Sequence, residues 1–140
     1  MLLMKVIYIA GKYRGPNAWA IEQNIRAAEE VAARVWAMGM VALCPHANSR
    51  HMDGVASDEV LLDGTMELLK RCDAVVMVPG WGKSVGACAE YDEAINRCMP
   101  VFGIDSRDDS PPDGPLTAMA HATAVEQTLM HLRRWAEGDR

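Results

Sequence analysis

The chain has no run of basic residues and a formal net charge of −5, which argues against a general electrostatic grip on nucleic acid. It has no apolar run long enough to cross a bilayer, so no membrane association is expected. The opening Met1-Leu2-Leu3-Met4 is too short for a signal peptide and continues into Val6-Ile7-Tyr8-Ile9-Ala10, which reads as a strand. Cys44, Cys72, Cys88 and Cys98 form no CxxC pair and fall in expected strands or helices. Buried free thiols in a reducing cytoplasm are therefore expected, not disulfides. His46 and His51 have no ligand spacing with any cysteine, and neither metal nor cofactor is expected. Two glycine motifs are also missing. Gly82-Lys83-Ser84 ends like a P-loop, but the earlier glycine would fall at Met77, inside a strand. Gly80-x-Gly82 is followed by Gly86 one residue too late for a dinucleotide fingerprint, and no acidic pair follows the first strand as in a receiver domain.

What is present is an ordinary globular composition. The chain has 140 residues, half of them hydrophobic and 24% charged, enough for one domain with its own core. Apolar runs over 5–10, 41–44, 74–78 and 100–104 read as strands, and helical periodicity covers 17–38, 58–71, 84–98 and 116–137. The last helix carries a possible break at 121–123. Residues 46–56 and the acidic, proline-containing 105–115 read as loops. Strands alternating with helices predict an α/β domain of the flavodoxin/Rossmann-like three-layer kind, with a parallel sheet of four to five strands. Ligands of such sheets bind beyond the carboxyl ends of the strands, which brings together 11–15, Pro45-His46 and 79–84.

The stretch DAVVMVPGWGKSVGACAEYDEA, residues 73–94, concentrates the chemistry. A buried strand, a glycine-bearing turn and a helix capped by Ser84 form a ready anion pocket, because the first amides of the helix are unpaired. Glu90 lies in the second turn of that helix. A helical wheel puts Ser84, Cys88, Tyr91, Ile95 and Cys98 on the apolar stripe and Glu90 away from it, which reads as a solvated face. Against this, Gly86 and Ala87 are small and leave room for a ligand beside the carboxylate. Arg14, three residues past Gly11, is equally a phosphate-binding guanidinium or a surface charge. Tyr8 at a strand end reads as core. Trp81, an aromatic on a turn at a cleft, reads as exposed and available to stack on a ligand.

These residues together resemble the nucleoside 2-deoxyribosyltransferase-like superfamily, which includes the deoxynucleoside monophosphate N-glycosidases and small phage and bacterial members. Tyr8-Ile9-Ala10-Gly11-Lys12-Tyr13-Arg14-Gly15 is similar to its first-strand motif. Ser84-x-Gly86-x-x-x-Glu90, followed by Ala94, is similar to its nucleophile helix, and Leu116-Thr117-Ala118-Met119 to a segment that enters the neighbouring subunit's site. The resemblance covers the chain in outline and implies a single domain of this type over 1–140. Where active relatives carry an Asp eight residues before the central-strand Asp, this chain has Thr65.

By that resemblance the expected function is cleavage of the base–sugar bond of a (deoxy)nucleoside 5′-monophosphate, with Glu90 as nucleophile and Tyr8 orienting it. Ser84 and Gly86, with Arg14 and a partner subunit's Thr117, would hold the 5′-phosphate, His46 and Trp81 would border the base, and Gly11 and Met119 would also bind substrate. The implied partners are a small nucleotide or nucleoside and further copies of the chain, in a cytoplasmic homodimer or larger assembly. Two alternatives stand beside this: deoxyribosyl transfer between free nucleosides, and a non-catalytic nucleotide-binding module, which Thr65 favours.

Overall fold

A computed structural model describes residues 4–103 and 115–138, with the side chains of 115–121 excepted. Its centre is the strand β1 (Val6–Ala10), whose last four residues are buried. β1 lies between β2 (Val41–Leu43) and β3 (Ala74–Met77), and β4 (Val101–Phe102) adds outside β3, giving the order β2-β1-β3-β4. All pairings are parallel: Tyr8 stands opposite Leu43 on one side and Val75 on the other. The sheet has four strands among the described residues, the lower end of the expected range. Residues 105–114, expected as a loop, lie outside them.

Among the described residues five α-helices flank or follow the strands: α1 (Ala18–Ala37), the short α2 (Pro45–Asn48), α3 (Asp58–Lys70), α4 (Val85–Asn96) and α5 (Pro115–Ala136). Three of them begin at side-chain caps that the sequence signals. Asn17, Ser57 and Ser84 accept from the amides of Ala20, Val60 and Ala87, at 2.9, 3.2 and 3.2 Å. The start of α3 is acidic, with Asp58 and Glu59, and its end basic, with Lys70, as the helix dipole favours. Two expectations need correction. The 46–56 stretch is not all loop, because Pro45 is placed where a helix tolerates proline, at its first position, and starts α2. The backbone of α5 runs unbroken through 121–123, where alanine and threonine supply no breaker.

The helices sandwich the sheet. Ile7, Ile9, Val76 and Val78 pack against Val31 and Val35 of α1 and Leu129 and Leu132 of α5. Tyr8, Val75 and Met77, alternating with them as a pleated strand requires, face Leu69 of α3 and Ala87 and Ala94 of α4. This is a flavodoxin/Rossmann-like three-layer α/β domain. The chain leaves β1 toward β2 on one side and returns to β3 on the other, so the topological switch point lies between the carboxyl ends of β1 and β3. There the two strands draw close: the Val78 amide donates to the Ala10 carbonyl at 2.7 Å, and a Cβ on Gly11 would stand 3.0 Å from that of Val78. No helix among the described residues is long and apolar enough to cross a membrane.

Candidate functional site

At the switch point the structure joins a carboxylate to a phenol. Tyr8 is wholly buried on the α3/α4 side of β1. Glu90 reaches it from the second turn of α4. Both Tyr8 Oη and Glu90 Oε2 are sealed from solvent, and neither meets a partner in hydrogen-bonding geometry. They sit close enough that each acts on the other's ionisation. Burial pushes the Glu90 carboxyl up from 4.5 to about 7, against a smaller downward pull from the Tyr8 hydroxyl. Burial, and then the charge of Glu90, drives the Tyr8 phenol far above its ordinary range. Tyr8 is thus a fixed proton donor, and Glu90 a carboxylate poised to change charge near neutrality.

This corrects the helical wheel. The buried face of α4 is Ala87 and Ala94, with Tyr91 packed beside them, whereas Ile95 is half exposed and Val85 and Cys98 are on the surface. Glu90 belongs to the inward face because Ala87 and Ala94 let the helix lie close on β1 and β3. The small-residue spacing 87–94, bracketing Glu90 and Tyr91, is the signal in the sequence that finds this face. Trp81 also needs correction: it is 2% exposed. Gly80, with φ of 92°, turns the chain so that a 3-10 turn at Trp81–Lys83 tucks the indole under α4. There it stacks on Tyr91, with centroids 4.8 Å apart and planes at 23°.

Most of the other expected residues lie on or beside the segments that follow β1, β2 and β3. His46 is buried, and its Nε2 donates to the Lys12 carbonyl at 3.0 Å, while Tyr13 meets the ring edge-on. Burial lowers its pKa, so the ring is a neutral clamp between the loops after β1 and β2. The same two loops are linked by Tyr13 Oη donating to Asp53 and by Arg14 to Asp58 at 2.8 Å, an exposed ion pair at the start of α3. Arg14 therefore holds a carboxylate. Ser84 Oγ is engaged in capping α4, and nothing but that oxygen stands within 4 Å of where a Cβ on Gly86 would be. The side chains of Thr117 and Met119 lie outside the described residues. Thr65, half-buried on α3, donates its hydroxyl to the Leu62 carbonyl at 2.9 Å.

Two grooves lie elsewhere. One of about 500 Å³ runs beside β2, between Trp36 of α1 and Leu68 of α3. Another of about 620 Å³ separates α1 from α5 above Val78 and Pro79. Neither contains a carboxylate paired with a buried phenol. No three His, Cys, Asp or Glu side chains among the described residues are grouped to hold a metal ion.

Fold and site together define a three-layer α/β domain with a partly buried glutamate beside a buried tyrosine at the switch point of its parallel sheet. Residues 5–102 match the family described as Domain of unknown function (DUF4406). The match covers most of the chain, including β1 to β4, Tyr8 and Glu90, and the chain belongs to that family. Among curated proteins none matches it.

Proposed function

We propose that this protein is an N-glycosidase-type enzyme that cleaves the base–sugar bond of a (deoxy)nucleoside 5′-monophosphate. The observation that carries the reading is the Glu90 carboxylate, one oxygen of which is sealed from solvent as is the Tyr8 hydroxyl, with burial raising its pKa to about 7. In the ionised state Glu90 attacks C1′ of the sugar as the C1′–N bond breaks, and the departing base takes a proton from solvent. Water then cleaves the resulting glycosyl ester and regenerates the carboxylate. Tyr8 holds Glu90 in line and, being locked as a phenol, does not take its proton. Loss of phosphate-binding charge at Arg14 is expected to weaken binding of the monophosphate.

The direct test is base release from a panel of nucleoside monophosphates and matching nucleosides, followed by chromatography. Arg14→Ala separates the substrate classes. A charged hydrogen bond to phosphate contributes about 1.5–3 kcal/mol, so the variant should bind a monophosphate about tenfold or more weakly and the nucleoside as before. The exposed Asp58 partner costs little to displace, since such pairs contribute about 0–1 kcal/mol. Deoxyribosyl transfer between free nucleosides is the second reading, favoured by Arg14 being already occupied by Asp58. It moves ahead if wild type and Arg14→Ala bind both ligands alike. Thermal stabilisation by nucleotides without base release would leave the non-catalytic binding module. A homodimer or larger assembly, with residues 116–119 entering a neighbouring site, completes the reading. Sedimentation as a monomer at micromolar concentration would count against it.

A further inference from the structure

The loop between β1 and α1 is held by its carbonyl groups. His46 Nε2, on α2, donates to the Lys12 carbonyl at 3.0 Å. Asn24, half-buried in the second turn of α1, donates through Nδ2 to the next two carbonyls, those of Tyr13 at 3.0 Å and Arg14 at 3.2 Å. No peptide bond among the described residues is cis, and in a planar trans peptide the N–H points opposite to the C=O beside it. The amides of Arg14 and Gly15 therefore point away from Asn24, and the amide of Tyr13 away from His46. Among the described residues no acceptor meets any of these three amides. The backbone lies close on the helix here, since a Cβ on Gly15 would stand 2.7 Å from that of Ala20.

We infer that Asn24 is a positioning residue for phosphate binding by this loop: by holding the Tyr13 and Arg14 carbonyls against α1, it turns the amides of Arg14 and Gly15 outward to meet the anion alongside the Arg14 guanidinium. This deepens the reading of Arg14 as the phosphate-binding residue and rests on it. Successive unpaired amides form a partly positive backbone surface that suits an anion. A carboxamide is the right holder, because its NH2 has two protons, one for each carbonyl, where serine has one and ionised aspartate none. The two sides of Arg14 are held differently. Its side chain pairs with the exposed Asp58 carboxylate, which an arriving phosphate replaces at little cost, whereas its backbone is fixed from α1 and stays fixed when the ligand binds. Without Asn24 both carbonyls turn to water, the loop samples other orientations, and ordering it is charged against binding.

The consequence is measurable without turnover. Amide NMR on the full chain, titrated with inorganic phosphate against chloride at matched ionic strength, reads the Arg14 and Gly15 resonances directly. In wild type both should move downfield and saturate as the amides donate to phosphate. In Asn24→Ala the same movement should need about three- to tenfold more phosphate, the equivalent of roughly one net hydrogen bond. Recording each protein well below its melting temperature separates this from a loss of stability, which would leave the titration of the folded molecules unchanged. Asn24→Ser serves as the second variant should the alanine variant fold poorly. Where base release from a nucleoside monophosphate is seen, Asn24→Ala should raise KM by a similar factor and leave kcat within about twofold, because the bonds of Asn24 go to the loop and not to Glu90 or Tyr8. Wild-type amides that ignore phosphate, or that respond at the same concentrations in the Asn24 variants, overturn the inference. A protein that releases no base but shows the Asn24-dependent titration refutes the enzymatic reading alone. Base release with an unchanged monophosphate KM in Asn24→Ala refutes only the role of Asn24.

Discussion

Glu90→Gln is expected to do two opposite things at pH 8: end base release and raise the melting temperature. The first follows because an amide does not form the glycosyl ester. The second follows from the position of the carboxylate. Its ionisation is raised in the fold from 4.5 to about 7, chiefly by burial. The folded protein therefore binds a proton more tightly than the unfolded chain does. For such a group the contribution to stability is complete below pH 4.5, declines as pH rises, and is lost above about 7. At 1.36 kcal/mol per pH unit the ionised Glu90 costs the native state about 3 kcal/mol at pH 8. Glutamine, nearly the same shape and uncharged, removes most of that cost, so melting should rise by roughly 5–10 °C. The difference between variant and wild type should shrink toward zero near pH 4, where both side chains are neutral. Calorimetry at several pH values checks the trend. A variant that melts below wild type at pH 8, or gains as much at pH 4, shows that the carboxylate is not desolvated. Wild-type turnover should rise with pH through about 7 as Glu90 ionises, giving the ascending limb of the kcat/KM profile. Base release by Glu90→Gln at the wild-type rate would remove Glu90 as nucleophile.

Trp81→Ala should have the largest effect on folding. The indole is enclosed between β3 and α4 and stacked on Tyr91. Truncating a buried aromatic typically costs about 3–5 kcal/mol, because the lost burial is followed by a cavity that the surroundings fill only in part. Melting should fall by roughly 10–20 °C. Trp81→Phe, which keeps a ring against Tyr91, should recover a large share. An indole that bordered a bound base in an open cleft would behave differently, since its loss would weaken ligand binding and leave melting almost unchanged. Thermal denaturation of the unliganded variants therefore separates a core role from a stacking platform. Tyr91 neighbours Glu90 on α4, so the core variant should also show a disturbed Glu90 titration.

Trp81 and Glu90 show where reading from residue pattern stopped. The alternation of strands and helices was legible because it rests on local signals: Asn17, Ser57 and Ser84 cap the helices they precede, and the apolar run 74–78 is buried on both sides as expected. The contents of the site's wall were not legible from polarity. A wheel weighted by hydrophobicity favours Ile95 and Cys98, yet α4 packs through alanines. Close approach to the sheet outweighs the burial of larger side chains, and this carries a charged residue inward. Trp81 was misjudged because its turn residues suggest exposure, whereas Gly80 bends the chain back over the core. His46 was read as a loop residue but lies in α2, and its bond to Lys12, 34 positions away in sequence, depends on β1 and β2 being neighbours.

The central place of β1 has a consequence for synthesis of the chain. β1 is made first, yet its two hydrogen-bonding edges are filled by residues 41–43 and 74–77. At translation speeds of about 5–20 residues per second, roughly 3–13 seconds separate completion of β1 from that of β3. Throughout that interval Ile7, Tyr8 and Ile9 are a short apolar segment with at least one open edge, while the residues that will cover both faces are still being made. The strand that organises the finished protein is thus the segment of the nascent chain most in need of protection from other chains, and its safety depends on how quickly β3 arrives.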